Sequence, residues 1–221
     1  MERQADTASW MGDRSGLRVL GSELLSLVRV VGALPWRSMA ADTLGELDTH
    51  RVPVVFVHGI LGDATNFTML RAHLARHGIR RFSSFSYRPR LDYQRLAARF
   101  GEHVARVCGE AGATQVDVVA HSLGGLVARY FVQTDGARVV RRLVTLGTPY
   151  LACRNPSQEL AIFAEHDLVV PPPADRARRR THVVDGCGHF GLLTDERAVG
   201  AVARYLVRPT PVVARIVTRA A

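Results

Sequence analysis

The chain contains no lysine: all 29 of its basic residues are arginine, against 20 acidic residues, for a formal net charge of +9. With abundant Ala, Val and Gly, that one-sided usage reads as genome-wide base composition rather than as a basic patch selected for nucleic acid. No nucleic-acid module signature is present, so no nucleic-acid partner is expected. The only dense basic run, RARRR from Arg176 to Arg180, reads as a solvated loop. Cysteine is scarce. Cys108, Cys153 and Cys187 form no CxxC pair and no metal-like cluster, and an odd number leaves one thiol over in any disulfide scheme. A reduced compartment is the simpler expectation. The nine histidines lack ligand spacing such as HExxH, so no metal is expected.

A long uninterrupted hydrophobic run is also missing. LRVLGSELLSLVRVVGALPW, near the start, is broken by Arg18, Glu23 and Arg29 and has no evident A-x-A site, unlike a secretory leader. Leu17, Leu20, Leu24, Leu27 and Val31 recur at helical spacing. Residues 17–34 therefore form either a helix packed on the domain or an amphipathic helix lying on a membrane surface. A cytoplasmic or membrane-associated location is expected, and oligomeric state is not readable.

What is present suits one large domain: 221 residues with 47% apolar content. The expected division is an N-terminal helical extension and linker over 1–50, a main domain over 51–207, and a tail over 208–221. RVPVVFVHG reads as a buried strand because its apolar residues do not alternate with polar ones. Further strands are expected at 81–87, 115–120, 139–146, 160–165 and 181–184, and helices at 66–77, 91–111, 123–133 and 195–206. Strands alternating with helices imply a mainly parallel six-stranded sheet covered on both faces, an α/β fold.

The third strand stops at Ala120-His121-Ser122-Leu123-Gly124-Gly125, and a helical pattern begins at once. A serine at such a turn is lifted out of the sheet on a strained backbone, which demands small neighbours. Its hydroxyl needs a base. After Ser122, AIFAEHDLVVPP offers Asp167 and VVDGCGHFGLL offers His189, both past strand ends on the same sheet edge. In this reading His189 is the general base and Asp167 orients it. Rival acids are Glu165, Asp175 and Asp185, and rival histidines are His166 and His182. An oxyanion site needs two backbone donors; Leu123 supplies one and Ile60, in the VHGILGD loop, the other. His58, Gly59, His121 and Gly124 read as structural residues beside the site.

Together VVFVHGILGD, VDVVAHSLGGLVARYF, LVTLGTPY, AEHDLVVP and GCGHFGLL resemble the α/β-hydrolase superfamily. More narrowly they resemble small bacterial lipases and esterases with an Ala-His-Ser-x-Gly elbow, of the Bacillus lipase A and actinobacterial types. The resemblance spans about residues 52–207. It implies a Ser122–Asp167–His189 triad, an oxyanion loop over His58 to Gly62, and hydrolysis of carboxylic esters without cofactor. One departure stands out: only YLACRNPSQE, Tyr150 to Glu159, separates the fourth strand's end from the fifth strand. A parallel crossover usually takes a dozen residues or more. The link must be stripped down, or the fourth strand is used up in spanning it, and the acyl site should carry little or no lid. The competing readings are a non-catalytic hydrolase-like lipid-binding protein and a membrane-attached acyltransferase anchored through residues 17–34.

Overall fold

A computed structural model describes residues 41–46, 49–60, 62–88, 92–150, 156–174 and 180–208. The expected helix at 17–34, Cys153, Asp175 and most of the RARRR run lie outside the described residues.

The sheet has six strands: β1 (Val54–Val57), β2 (Phe82–Phe85), β3 (Val116–His121), β4 (Val140–Leu146), β5 (Glu159–Ala164) and β6 (Thr181–Val184). Their order is β2-β1-β3-β4-β5-β6, and every neighbouring pair is parallel. The helices are α1 (Thr68–Arg76), α2 (Tyr93–Ala111), α3 (Leu123–Thr134) and α4 (Glu196–Val207). Successive strand side chains point to opposite faces, and here both faces are buried. Val54 and Phe56 of β1 pack with residues of α1 and α4, while Val55 and Val57 pack with α2 and α3. This explains why β1 shows no polar alternation. Among the described residues no helix is long and apolar enough to cross a membrane.

The helix ends follow local chemistry. Asp92 caps α2 by accepting from Arg95 N, and Gly112, at φ 59°, ends it in the left-handed region. Its buried stripe is Leu96, Phe100, Val104 and Val107, as the periodicity predicts. The single helix expected over 66–77 is instead a 3-10 turn, Ala64–Phe67, followed by α1. The Asp63 carboxylate accepts from Thr65 N at 2.8 Å and so starts the turn early. In the stretch expected to be a linker, Thr43 N donates to Phe82 O at 2.8 Å and Leu44 is buried in the α2–α3 layer.

The short link between β4 and β5 does not consume the fourth strand. β4 keeps all seven residues and pairs with β5 from Leu143↔Glu159 to Leu146↔Ile162. No helix intervenes among the described residues of the link. The chain passes from β1 to β2 on one side and later reaches β3 on the other. The order therefore reverses at β1, and a crevice opens beyond the carboxyl ends of β1 and β3, where open α/β sheets place their ligands.

Candidate active site

Ser122 stands in that crevice, between the last residue of β3 and the first of α3. Its backbone has φ 54° and ψ −123°, and it is the one non-glycine residue with positive φ among the described residues. An L-residue holds such a conformation only where its surroundings fix it. Here Ser122 N donates to Leu146 O at 2.9 Å, and Thr148 Oγ1 donates to Ser122 O at 3.1 Å. The start of α3 presses on the end of β1: a Cβ on Gly124 would lie 2.3 Å from Val57 O and 2.6 Å from His58 O, so only glycine fits. The loop after β1 comes equally close, since a Cβ on Gly59 would meet Ser122 Cβ at 2.9 Å.

Asp167 and His189, far apart in sequence, meet at the same rim. His189 Nδ1 donates to Asp167 Oδ2 at 2.7 Å, and both residues are buried. The other carboxylate oxygen accepts from Val169 N at 2.8 Å and Val170 N at 2.6 Å. With its proton on Nδ1, the imidazole is left with a lone pair on Nε2. The pair rests on Gly147, just after β4: a Cβ there would lie 2.9 Å from His189 Nδ1 and 3.2 Å from Asp167 Oδ2. Ser122 is bonded to the residue before Gly147, so serine and dyad share one platform. No hydrogen bond joins Ser122 Oγ to His189 among the described residues; catalytic contacts are often long in a ligand-free site.

The two histidines read as structural are buried, and each holds a backbone carbonyl through one ring nitrogen. His121 Nε2 donates to His189 O at 3.2 Å, and the two rings lie 4.7 Å apart. Burial, with the neighbouring His189 acting in the same sense, pushes the His121 pKa down to about 3, so its ring is neutral at pH 7. His58 is also pushed down by burial. Its Nδ1 donates to Gly59 O at 2.9 Å, and its ring stacks on Tyr87 at 4.3 Å. Tyr87 Oη donates to His58 O at 2.5 Å.

Of the expected oxyanion donors, Leu123 directly follows the serine, and Ile60 follows Gly59, which lies against Ser122. Neither Ile60 N nor Leu123 N has an acceptor among the described residues. Ile60 itself is 51% exposed, and Leu168 and Val169, which follow Asp167, are each 65% exposed, giving the rim apolar side chains. The rival acid Glu165 is engaged elsewhere, accepting from Gly186 N at 2.9 Å. His182 lies exposed on β6. Sequence reasoning assigned no role to Gly147, Thr148 or Tyr87. The LVTLGTPY string marked the first two without showing what they touch. Among the described residues no group of three His, Cys, Asp or Glu side chains could hold a metal ion.

Residues 53–170 match the palmitoyl protein thioesterase family. The chain belongs to that family. It is also 28% identical over 163 residues to a triacylglycerol lipase of Burkholderia plantarii, covering 67% of this chain and 43% of the lipase. A triacylglycerol lipase of Pseudarthrobacter phenanthrenivorans is 30% identical over 134 residues, 55% of this chain and 39% of that one. The chain thus spans less than half the length of these two relatives. Among solved structures, an α/β-hydrolase enzyme from the metagenome of the Mar Chica lagoon sediments superposes with a TM-score of 0.53 at 17% identity, covering 70% of this chain and 90% of the other. An α/β serine hydrolase homologue from Coxiella burnetii gives 0.53 at 14% identity, covering 74% and 86%. These likenesses show the fold, which is the α/β-hydrolase fold expected from the sequence. The narrower kinship with Bacillus lipase A is not established by these matches.

Proposed function

We propose that this member of the palmitoyl protein thioesterase family is a serine hydrolase that cleaves carboxylic acyl esters through an acyl-enzyme intermediate. The observation that carries the reading is the strained Ser122, held on the same Gly147 platform as the buried Asp167–His189 pair. In this reading Ser122 Oγ attacks the acyl carbon while His189 Nε2 takes its proton. The oxyanion is received by the N–H groups of Ile60 and Leu123, at the amino end of α3 where the helix dipole favours negative charge. His189 then protonates the departing alkoxide. Water, activated by the same imidazole, frees the acid and restores Ser122. Asp167 keeps the imidazole in the Nδ1–H tautomer and stabilises its cation. The exposed apolar side chains of Ile60, Leu168 and Val169 suit an acyl chain lying across an open rim. The family match favours a second substrate class, acyl thioesters, which the same apparatus would cleave with thiolate as leaving group.

Labelling with a fluorophosphonate probe tests the serine chemistry. The expected result is a covalent adduct on the wild type that disappears in Ser122→Ala and His189→Ala. An unlabelled wild type that is folded refutes it. Parallel hydrolysis of soluble p-nitrophenyl butyrate and a butyryl thioester ranks the two substrate classes. A rate that rises only above the solubility limit of an ester would contradict an open acyl site.

A further inference from the structure

The strands' opposite edge carries a second feature, independent of the hydrolase reading. A cavity of about 660 Å³ opens there between the starts of β4, β5 and β6 and the last turns of α4. Arg142, Arg180, Arg204 and Arg208 line it with His182 and Tyr205, and no aspartate or glutamate is among its described lining residues. Arg141 lines it too, but its charge is matched: Nε donates to the buried Asp117 Oδ1 at 2.9 Å. The guanidinium of Arg142 donates to the carbonyls of Leu206 and Arg208 and so ties β4 to the end of α4. Arg180, Arg204 and Arg208 are exposed and make no ion pair with any described residue. Leu160, Ala201 and the Tyr205 ring supply an apolar part of the wall.

Like charges gathered around one cavity repel one another, and no described side-chain carboxylate of the wall pairs with Arg180, Arg204 or Arg208. The carbonyl end of α4 offsets only a fraction of a charge. Guanidinium forks match phosphate oxygens two at a time, and a cavity of this size holds a ligand well beyond a single inorganic ion. We propose that this cavity binds a ligand carrying two or more phosphate groups. The site lies at the other end of the sheet from the catalytic rim: Arg142 and Leu146 are four residues apart along β4, about 13 Å at the usual strand rise. Such a ligand could come free in solution or as the phosphorylated headgroup of a lipid, and either would present the same chemistry to these arginines.

The test uses the full chain with two probes: inorganic pyrophosphate by titration calorimetry, and phosphatidylcholine vesicles with and without phosphatidylinositol bisphosphate by sedimentation. The wild type and Ser122→Ala should bind equally and saturably. Arg180→Gln and Arg204→Gln should each weaken binding about tenfold or more, since each removes one charge at contact distance, and the double variant should abolish it. Saturable pyrophosphate binding without vesicle binding assigns a soluble ligand. Vesicle binding that needs the bisphosphate lipid and is competed by pyrophosphate assigns a headgroup. The absence of saturable binding to either probe, or equal binding by the double variant, overturns the proposal. All these side chains are exposed, so the unfolding midpoint should not move. If Arg204→Gln shifts it, Arg180→Gln alone carries the comparison.

Discussion

Replacing Gly147 by alanine tests whether the Asp167–His189 pair is the working dyad. The added Cβ would lie 2.9 Å from His189 Nδ1, 3.0 Å from Cε1 and 3.2 Å from Asp167 Oδ2. Unstrained contact begins near 3.5 Å, so the imidazole must retreat by about 0.5 Å or tilt. That motion stretches the 2.7 Å hydrogen bond fixing its tautomer. Gly147 also sits at φ 54°, where a side chain costs about 1–2 kcal/mol, and overpacking adds about 1–3 kcal/mol. The expected outcome is a folded protein destabilised by roughly 2–5 kcal/mol, the sum of those two costs. Its kcat on p-nitrophenyl butyrate should fall about 100-fold, the usual penalty for misplacing a catalytic group by a fraction of an ångström to one ångström. Gly109→Ala is the control. It lies on the exposed face of α2 with nothing within 4 Å of the new Cβ, so it should gain about 0.5–1 kcal/mol and leave kcat unchanged. Urea unfolding and initial rates on the same preparations give both quantities. A folded Gly147→Ala with kcat within about threefold of wild type, far short of the expected loss, would show that this pair does not drive the reaction.

Three further outcomes are expected. Ser122→Gly should be about 1 kcal/mol or more stable than Ser122→Ala because it relieves the positive φ, while both fail to take up a fluorophosphonate; equal midpoints would mean that the backbone is not strained. His121 has a folded pKa of about 3, below its unfolded value of 6.5. Its contribution is therefore fully present above pH 6.5 and is lost as pH falls from there toward 3, roughly 2 kcal/mol by pH 5. His121→Gln, which keeps an N–H for His189 O, should flatten the fall in urea midpoint between pH 7 and pH 5, and an unchanged slope would exclude His121 as its source. Finally, Arg129 and Glu159 form a buried ion pair at 2.7 Å. Glu159→Ala should cost about 3–5 kcal/mol by stranding the guanidinium, and Arg129→Met with Glu159→Met should recover most of it; a double variant no better than the single would refute desolvation as the cause.

The candidate site was legible where local signals agree. The run from Val116 through Thr134 announced itself by an apolar strand, small residues at the turn and an immediate helical period, and the structure shifts its limits by a single residue. Asp167 and His189 were findable because each follows an apolar strand. Contacts that depend on register between distant segments were not. Nothing local to TLGTP says that Gly147 lies under an imidazole from a loop beyond β6, or that Thr148 reaches back to Ser122 O. Tyr87 sits just past a short strand, and its stacking on His58 follows only from β1 and β2 being neighbours. The arginine cavity escaped for the same reason: its side chains come from β4, β6 and α4, and only Arg180 belongs to a visible basic run.

The short link after β4 shows how a missing piece of chain is compensated. In register, Glu159, Ala161 and Phe163 share the face of Leu143, which packs with α2 and α3. A longer crossover would ordinarily lay a helix over that face of β5. Instead Phe163 is covered by Tyr150 of the link, with ring centroids 5.4 Å apart, and by Val170. Arg129 of α3 stands 4.5 Å above the Tyr150 ring, donates to Pro149 O at 2.7 Å, and holds the Glu159 carboxylate at the strand's first residue. One buried arginine thus joins the helix that follows Ser122, the loop that supports His189, and the strand, Glu159–Ala164, that leads to Asp167. The polar residues that replace the helix thus tie together the elements that carry the proposed triad. That is why the shortened crossover can leave all four residue pairs of the β4–β5 register intact.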